Sequence, residues 1–256
     1  MCGIAGTYLI PDGDRLTDLM TDAVAHRGPD AAGRWSHSVG DGTVELGHRR
    51  LSIVDLSPTG AQPMAADGLV LTYNGELYNA AELRAELESA GVRFRGTSDT
   101  EVLLQAWRRW GVECLSRLRG MFAFACWTPR TRCLVLARDP LGIKPLYLAR
   151  PTHANANWSL AFASELRALL ASELLENPRL DPSGVASVVA NGFVSGPGTI
   201  VKDVELAWPG ELLEFDTAGG NPRRERFWNM PRGVGQPKIS EPELAHVMEE
   251  GLKLHL

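Results

Sequence analysis

The apolar residues of the chain follow two spacings, one typical of strands and the other typical of helices. Alternating or continuous apolar runs predict strands at 4–10, 33–39, 43–51, 69–72, 121–127, 134–137, 158–163 and 211–215, and the turn at 138–147 is predicted to lead into another strand. Helical spacing and helix start signals predict helices at 16–25, 79–90, 99–110, 164–170, 181–189 and 240–256. The pattern therefore predicts a strand-rich protein in which helices separate groups of strands.

Local signals mark several ends of these elements. Asn79 with Glu82, and Ser240 with Glu243, match the capping-box pattern at a helix start. The cysteines at 126 and 133 flank a predicted hairpin, where they could face each other. The helix at 240–256 places Leu244, Val247, Met248 and Leu252 on one face, so we expect that face to dock on a partner or a second copy, or the helix to fray.

Cys2 is the first candidate for chemistry. If Met1 is removed, Cys2 carries a free α-amine with an ordinary pKa of about 7.7–8.0 beside a thiol with an ordinary pKa of about 8.5. One residue would then supply both a nucleophile and a general base. The alternative is an ordinary buried thiol at the start of a strand.

Three further positions allow two interpretations each. Arg50 is either a surface charge at a strand end or a cation held near buried structure, because an apolar run follows it. Asn74-Gly75 is a strong hairpin-turn signal, but the pair also offers the side-chain amide and backbone N–H of an oxyanion hole. Asp99 is either a helix cap, worth about 0.5–2 kcal/mol, or a site carboxylate.

Composition and charge limit the kinds of binding partner that we expect for the protein. The chain has 256 residues, a net charge of -5, 44% hydrophobic residues and 22% charged residues, which is ordinary for a globular protein. No basic stripe, long apolar run or leading signal pattern occurs, so we expect no nucleic-acid partner, no membrane and a cytoplasmic location. The four cysteines lack zinc-type spacing, so we expect reduced thiols and no metal.

Eight motifs occur in series over roughly residues 1–215. They are Met1-Cys2-Gly3-Ile4-Ala5-Gly6, His26-Arg27-Gly28-Pro29-Asp30, Arg50-Leu51-Ser52-Ile53-Val54-Asp55, Tyr73-Asn74-Gly75-Glu76-Leu77-Tyr78-Asn79, Ser98-Asp99-Thr100-Glu101, Arg119-Gly120-Met121-Phe122-Ala123-Phe124, Arg138-Asp139-Pro140-Leu141-Gly142-Ile143-Lys144-Pro145-Leu146-Tyr147 and Ala163-Ser164-Glu165. In this order they resemble the glutaminase domain of class II glutamine amidotransferases, most closely that of the glutamine-hydrolysing asparagine synthetases.

The resemblance implies a fold and a set of roles. The fold is the α+β N-terminal nucleophile hydrolase fold, a four-layer α/β/β/α sandwich of two antiparallel sheets. Cys2 matches the nucleophile, and Asn74 with Gly75 matches the oxyanion-hole pair. Arg50 matches the residue that holds the α-carboxylate of L-glutamine, and Asp99 the residue that holds its α-ammonium. The remaining substrate-binding positions that it implies are Leu51, Ile53, Val54 and Glu76.

The chain also departs from the asparagine synthetases. They continue into a second domain that activates the acceptor with ATP, and it contains a Ser-Gly-Gly-x-Asp-Ser loop that is missing from this sequence. We therefore predict a glutaminase domain at 1–215, a connecting segment at 216–239 and an orphan first helix of a synthetase-like domain at 240–256. We expect no cofactor in this chain, with ATP and Mg²⁺ needed only by a synthetase domain or partner chain.

Two function classes follow from the sequence. One is an active glutaminase that supplies ammonia to a partner, with a homodimer as one form of assembly. The other is a non-catalytic regulatory or interaction module that retains the amidotransferase fold. The retained Cys2, Arg50, Asn74, Gly75 and Asp99 favour the glutaminase.

Overall fold

Two antiparallel sheets form the centre of the molecule. The computed structural model describes residues 1–53, 55–151, 157–217, 221–231 and 239–253. The strands are β1 (Gly3–Ile10), β2 (Ala31–Val39), β3 (Gly42–Arg50), β4 (Met64–Ala66), β5 (Leu69–Leu77), β6 (Gly120–Thr128), β7 (Cys133–Arg138), β8 (Tyr147–Ala149), β9 (Leu160–Ala163), β10 (Val204–Leu206), β11 (Glu211–Phe215) and β12 (Arg223–Arg226). The helices are α1 (Gly13–Ala23), α2 (Ala80–Ser89), α3 (Asp99–Trp110), α4 (Leu166–Ala171), α5 (Pro182–Asn191) and α6 (Glu241–Lys253).

Each sheet contains six strands. The first has the order β10-β8-β9-β1-β3-β2, and the second has the order β12-β11-β7-β6-β5-β4. In the first sheet β1 lies between β3 and β9, with Ala5 opposite both Gly47 and Ala163. The start of the chain is therefore held by hydrogen bonds on both sides, well inside the sheet.

Alternation of side chains along the strands separates the layers. Ile4 and Tyr8 of β1 point to the second sheet, where they pack in one apolar cluster with Trp127 of β6. Ala5 directly follows Ile4 and therefore points to the opposite face of the sheet, where it packs in a cluster with Met20 of α1. A third cluster covers the outer face of the second sheet with α2 and α3. The order of layers is helices, sheet, sheet, helices, so the predicted α/β/β/α sandwich is confirmed.

The predicted strands are found with small changes at their ends, whereas three short strands were not predicted. These are β4, β10 and β12, each of three or four residues, which is too short for an apolar pattern to show. β12 pairs with β11 through Glu211 and Arg226 and lies in the segment predicted to be connecting. The predicted domain boundaries at 215 and 239 stay predictions.

Two local predictions are wrong. Asn74-Gly75 does not form a turn, because both residues lie in β5 opposite Ala123 and Phe122 of β6. Asn79 does precede α2, but its side chain makes no capping bond. It instead donates to the Arg117 carbonyl at 3.0 Å and accepts from the Arg119 N–H at 3.0 Å. Long-range contacts override the local signal in both cases.

The C-terminal helix begins as predicted. The Ser240 N–H donates to Glu243 Oε2 at 2.8 Å, and the Glu243 N–H donates to Ser240 Oγ at 3.4 Å. This reciprocal pair is a capping box. The apolar residues of α6 lie at the surface, each at least 47% exposed: Leu244, Val247, Met248 and Leu252. Residues 254–256 of the predicted helix lie outside the described residues.

The cysteines do not pair in the described structure. All four are free, as expected for reduced thiols. Cys126 lies opposite Val135 and Cys133 lies opposite Thr128, so the two are not cross-strand neighbours. Within the described residues, no helix combines the length and the apolar character needed to cross a membrane.

Candidate active site

A cavity of about 370 Å³ opens where β1 begins, between the ends of the two sheets and the start of α3. All the predicted site residues that the structure describes line this cavity: Cys2, Arg50, Leu51, Ile53, Asn74, Gly75, Glu76 and Asp99. Val54 lies outside the described residues. A larger cavity of about 850 Å³ on the other side of the 91–98 loop contains none of them. The fold thus brings residues from four distant motifs to one place.

Cys2 is half-buried at the mouth of this cavity, immediately before β1. Its Sγ lies 3.5 Å from the Leu51 N–H, which donates to it, and 3.7 Å from the Leu51 carbonyl oxygen. The Cys2 carbonyl accepts from Arg27 Nε at 2.9 Å, and Arg27 is held in turn by Glu165 at 2.9 Å. The backbone and the thiol are therefore fixed from two sides. The His26–Asp30 loop is more than a solvated turn, because its Arg27 side chain holds the backbone of Cys2.

The side-chain amide of Asn74 is a buried polar group in the wall of the cavity. Asn74 is 1% exposed, and its Nδ2 is buried without a hydrogen-bond partner among the described residues. Burying an unsatisfied donor costs roughly 1–3 kcal/mol, and buried polar groups nearly always have partners. A donor left unpaired at the wall of a cavity indicates an acceptor supplied by a ligand.

The backbone of Gly75 supplies a second donor at the same edge. β4 pairs with β5 only at Leu69, Val70 and Leu71, so the rest of that edge has no strand beside it among the described residues. The Tyr73 N–H points to this edge, donating to Gln62 Oε1 at 2.6 Å, and so does the Leu77 N–H, donating to Asp99 Oδ2 at 3.1 Å. N–H groups two residues apart in a strand share a side. The Gly75 N–H, between them, therefore also points into the cavity.

A side chain at position 75 would not fit. A Cβ there would lie 2.4 Å from the Met121 carbonyl oxygen and 2.5 Å from the Tyr73 ring. Glycine allows the strand to pass this close and leaves its own N–H accessible. Asn74 and Gly75 together provide the pair of donors that an oxyanion hole requires.

Asp99 lies at the first position of α3, with its carboxylate turned toward the cavity. Ser98 is the cap, since its Oγ accepts from the Glu101 N–H at 3.3 Å. Asp99 Oδ2 instead accepts from the Tyr73 hydroxyl at 2.9 Å. Burial raises the pKa of Asp99, and the hydrogen bonds from Leu77 and Tyr73 oppose that rise. The cap interpretation of Asp99 is wrong, because Ser98 is the cap and the Asp99 carboxylate lines the cavity.

Arg50 ends β3 and faces the same cavity from the opposite side. Its guanidinium donates to the Ser57 carbonyl at 2.9 Å and to the Asp55 carbonyl. The Asp55 carboxylate fixes this loop by accepting from the Ser57 N–H at 2.8 Å and Thr59 Oγ1 at 3.0 Å. Hydrogen bonds from the Ser57 side chain, the Ser57 N–H and Thr59 lower the pKa of Asp55, and burial opposes them. A guanidinium carries five donors, so the two carbonyls leave others for a bound anion.

Several residues of the site were not singled out from the sequence. Tyr73 and Gln62 join β5 to α3, because Gln62 Nε2 also donates to Thr100 Oγ1 at 3.1 Å. Lys144 is 3% exposed and lines the cavity beside Met1, Cys2 and Glu76. In the sequence, Lys144 lies in the motif at 138–147, between Ile143 and Pro145. This motif contributes to the family resemblance, but it does not assign a role to the lysine.

Comparison with known proteins gives one consistent result. The family model described as "Glutamine amidotransferase domain" matches residues 1–228. The chain is 38% identical over 240 residues to "Asparagine synthetase [glutamine-hydrolyzing] 3" of Bacillus subtilis, which covers 90% of this chain and 37% of that protein. It is 39% identical over 275 residues to "Amidase chry2" of Gibberella zeae, covering 98% of this chain and 38% of that protein. The chain thus spans well under half the length of these two relatives.

A solved structure with the same fold is the glutamine phosphoribosylpyrophosphate amidotransferase of B. subtilis. It aligns with a TM-score of 0.65 and 24% identity, over 88% of this chain and 49% of that chain. At this identity the likeness concerns the fold alone, and it agrees with the two-sheet sandwich described above.

Proposed function

Since the chain belongs to the class II glutamine amidotransferases, we propose that it hydrolyses L-glutamine to glutamate and ammonia through a thioester on Cys2. The observation that carries the proposal is the pairing of a fixed Cys2 thiol with the unpartnered Asn74 amide in one cavity. Attack on a carboxamide needs a nucleophile and an available hydrogen-bond donor that both face the space where the carboxamide binds.

Substrate orientation follows from the charged groups that line the cavity. Arg50 binds the α-carboxylate of glutamine and Asp99 binds its α-ammonium, while Glu76 and the backbone at Leu51, Ile53 and Val54 complete the pocket. The side-chain amide then extends toward Cys2, with its oxygen between Asn74 Nδ2 and the Gly75 N–H. Fixing both ends of a small substrate supplies much of the rate enhancement by orientation alone.

The chemistry requires the α-amine that Cys2 carries once Met1 is removed. This amine takes the thiol proton, and the sulfur adds to the amide carbon to form a tetrahedral oxyanion, which Asn74 and Gly75 stabilise. The amine returns the proton to the leaving nitrogen, the C–N bond breaks and ammonia departs. Water then adds to the thioester carbonyl, and breaking the C–S bond releases glutamate and the free thiol.

The acceptor of the ammonia belongs to a larger assembly. The named relatives include asparagine synthetases and an amidase, so we propose a synthetase-type acceptor domain or partner chain that requires ATP and Mg²⁺. The exposed apolar face of α6 is the surface we propose for its docking, or for a second copy of the chain. The second candidate, a non-catalytic module, has no specific observation in its favour, because the cavity retains a complete set of groups.

A direct assay tests the proposal. The purified chain, with Met1 removal verified by intact mass, is expected to release glutamate and ammonia from glutamine in equal amounts. Adding aspartate, ATP and Mg²⁺ is expected to give no asparagine. A folded, processed chain that releases no glutamate would leave the non-catalytic module as the better account.

Arg50→Lys and Asp99→Asn are each expected to raise the KM for glutamine by about 10–100-fold with a smaller change in kcat. Each substitution weakens a charged hydrogen bond worth about 1.5–3 kcal/mol, and the amino-acid end of glutamine does not react, so ground-state binding carries the loss. Steady-state kinetics measure both constants. Arg49→Lys is the matched control, since Arg49 contacts the Thr21 carbonyl and Asp22 outside the cavity. An unchanged KM in both variants would contradict the assigned roles.

A further inference from the structure

Lys144 is a buried lysine directed at the chain start. Its Nζ lies 3.1 Å from Met1 Sδ, in the cavity wall that also contains Cys2. Lysine is almost never fully buried unless it has a partner, and a thioether sulfur is a weak one. The contact to Met1 disappears when Met1 is removed, so the ammonium then faces the new N-terminus.

The backbone around Lys144 is fixed by two buried charged residues. The Lys144 N–H donates to Asp139 Oδ2 at 2.9 Å, and Asp139, which is 0% exposed, also accepts from the N–H of Phe122 at 3.2 Å. Arg138 Nε donates to the Lys144 carbonyl at 2.9 Å. Phe122 lies opposite Gly75 in β6, so Lys144 is attached to the same strand pair as the oxyanion donors. The backbone of Lys144 is thus fixed by two side chains that also hold the turn at 139–143.

The charges around the chain start have both signs. Burial lowers the pKa of the Met1 amine, and the nearby Arg27 and Lys144 lower it further, whereas the Cys2 thiolate and Asp30 raise it. Burial, and then Arg27, lower the pKa of Lys144, whereas Glu76, Asp139 and the Cys2 thiolate favour its charged form. Glu165 compensates Arg27 and His26 through hydrogen bonds of 2.9 and 3.0 Å. Of the two cations near the chain start, Arg27 is paired with Glu165 in this way, whereas Lys144 has no carboxylate partner among the described residues.

We propose that Lys144 is a positioning residue whose ammonium, next to the mature N-terminus, favours an uncharged α-amine on Cys2, the form that can accept the thiol proton. The inference rests on the proposed function, in which Cys2 is the nucleophile and its amine the base. A nearby positive charge disfavours protonation of an amine. The effect extends the activity of Cys2 to lower pH. The thiol proton still moves to the α-amine, and Lys144 neither gains nor loses a proton.

The test is the pH dependence of Cys2 alkylation by iodoacetamide, followed by the mass of the Cys2 peptide in chains that lack Met1. Alkylation needs no glutamine and no turnover. The other thiols compete poorly, because burial raises the pKa of Cys114 to about 12 and of Cys133 to about 11 and also raises that of Cys126.

Lys144→Met and Lys144→Gln are both expected to move the midpoint of the alkylation profile to higher pH by about one unit, a typical effect of one nearby charge. Lys144→Arg, which keeps the charge, is expected to retain the wild-type midpoint. Lys202→Met removes an exposed lysine elsewhere and controls for net charge. The acid limb of kcat/KM for glutamine is expected to move in parallel. Thermal melting of each variant verifies that it is folded.

Three results would overturn the proposal. The first is an unchanged midpoint in both uncharged variants. The second is an equal shift in Lys144→Arg, which would assign the effect to a rearranged loop. The third is an altered KM for glutamine with no shift in either profile, which would make Lys144 a substrate contact. A shift in alkylation in a chain without turnover would refute the proposed glutaminase and leave the role of Lys144 intact.

Discussion

Cys2→Ala is expected to reduce glutamine hydrolysis to background, a loss on the order of 10⁴-fold or more. The substitution removes the sulfur that forms the thioester, and no other described residue in the cavity offers a thiol. Glutamate release measures the loss directly. Cys133→Ala, at a half-buried thiol of β7 outside the cavity, is the matched control and is expected to retain activity.

Two further measurements separate this mechanism from a general need for a cysteine. An electrophilic glutamine analogue is expected to add mass to the Cys2 peptide alone. Chains produced while methionine aminopeptidase is inhibited keep Met1, lack the α-amine at Cys2 and are expected to be inactive as well. Labelling at Cys114, Cys126 or Cys133, or full activity with Met1 retained, would exclude Cys2 as a nucleophile activated by its own amine.

Asn74→Ala is expected to lower kcat for glutamine by about 10²–10³, which is the loss observed when one oxyanion donor is removed. The KM is expected to change little, because the donor acts most strongly on the charge that develops in the transition state. Asn74→Asp, which has the same shape but no donor, is expected to be at least as slow. Asn191→Ala on the exposed part of α5 is the control.

The same substitution has a distinct expected effect on stability. Asn74 Nδ2 is a buried donor that has no partner in the described part of the chain, and such a group costs folding free energy. Asn74→Ala is therefore expected not to lower the melting temperature of the free chain, even though it removes most of the turnover. A variant that binds glutamine weakly but turns it over at the normal rate would make Asn74 a substrate clamp and refute the oxyanion role.

Apolar spacing is enough to predict much of this fold. Continuous runs predict β1, β6 and β7 because these strands are covered on both faces, and helical spacing predicts α1 because this helix buries one face against a sheet. The short edge strands β4, β10 and β12 escape prediction because three or four residues contain no measurable period. The spacing of apolar residues does not predict how the layers pack against each other. That prediction comes from the family resemblance of the eight motifs.

The site shows where local signals stop being informative. Asn-Gly favours a turn, yet the pairing of β5 with β6 runs from Val70 to Leu77 and outweighs that preference. Asn79 has the right neighbours for a capping box, but its amide bonds the chain near Arg117 instead. Lys144 lies against the chain start, where its Nζ contacts Met1, 143 positions away. Such contacts exist only after the sheets have packed, so no window of sequence contains them.

The central place of β1 has a consequence for the order of events during synthesis. β1 leaves the ribosome first, but one of its two neighbours, β9, begins at Leu160, 150 positions after Ile10. At about 5–20 residues per second, translation needs roughly 8–30 s to cover that distance. During this interval the first strand lacks a partner on one edge and the chain start is accessible to a processing enzyme. Removal of Met1, which the proposed mechanism requires, is thus best timed to the growing chain, before β9 closes the sheet around β1.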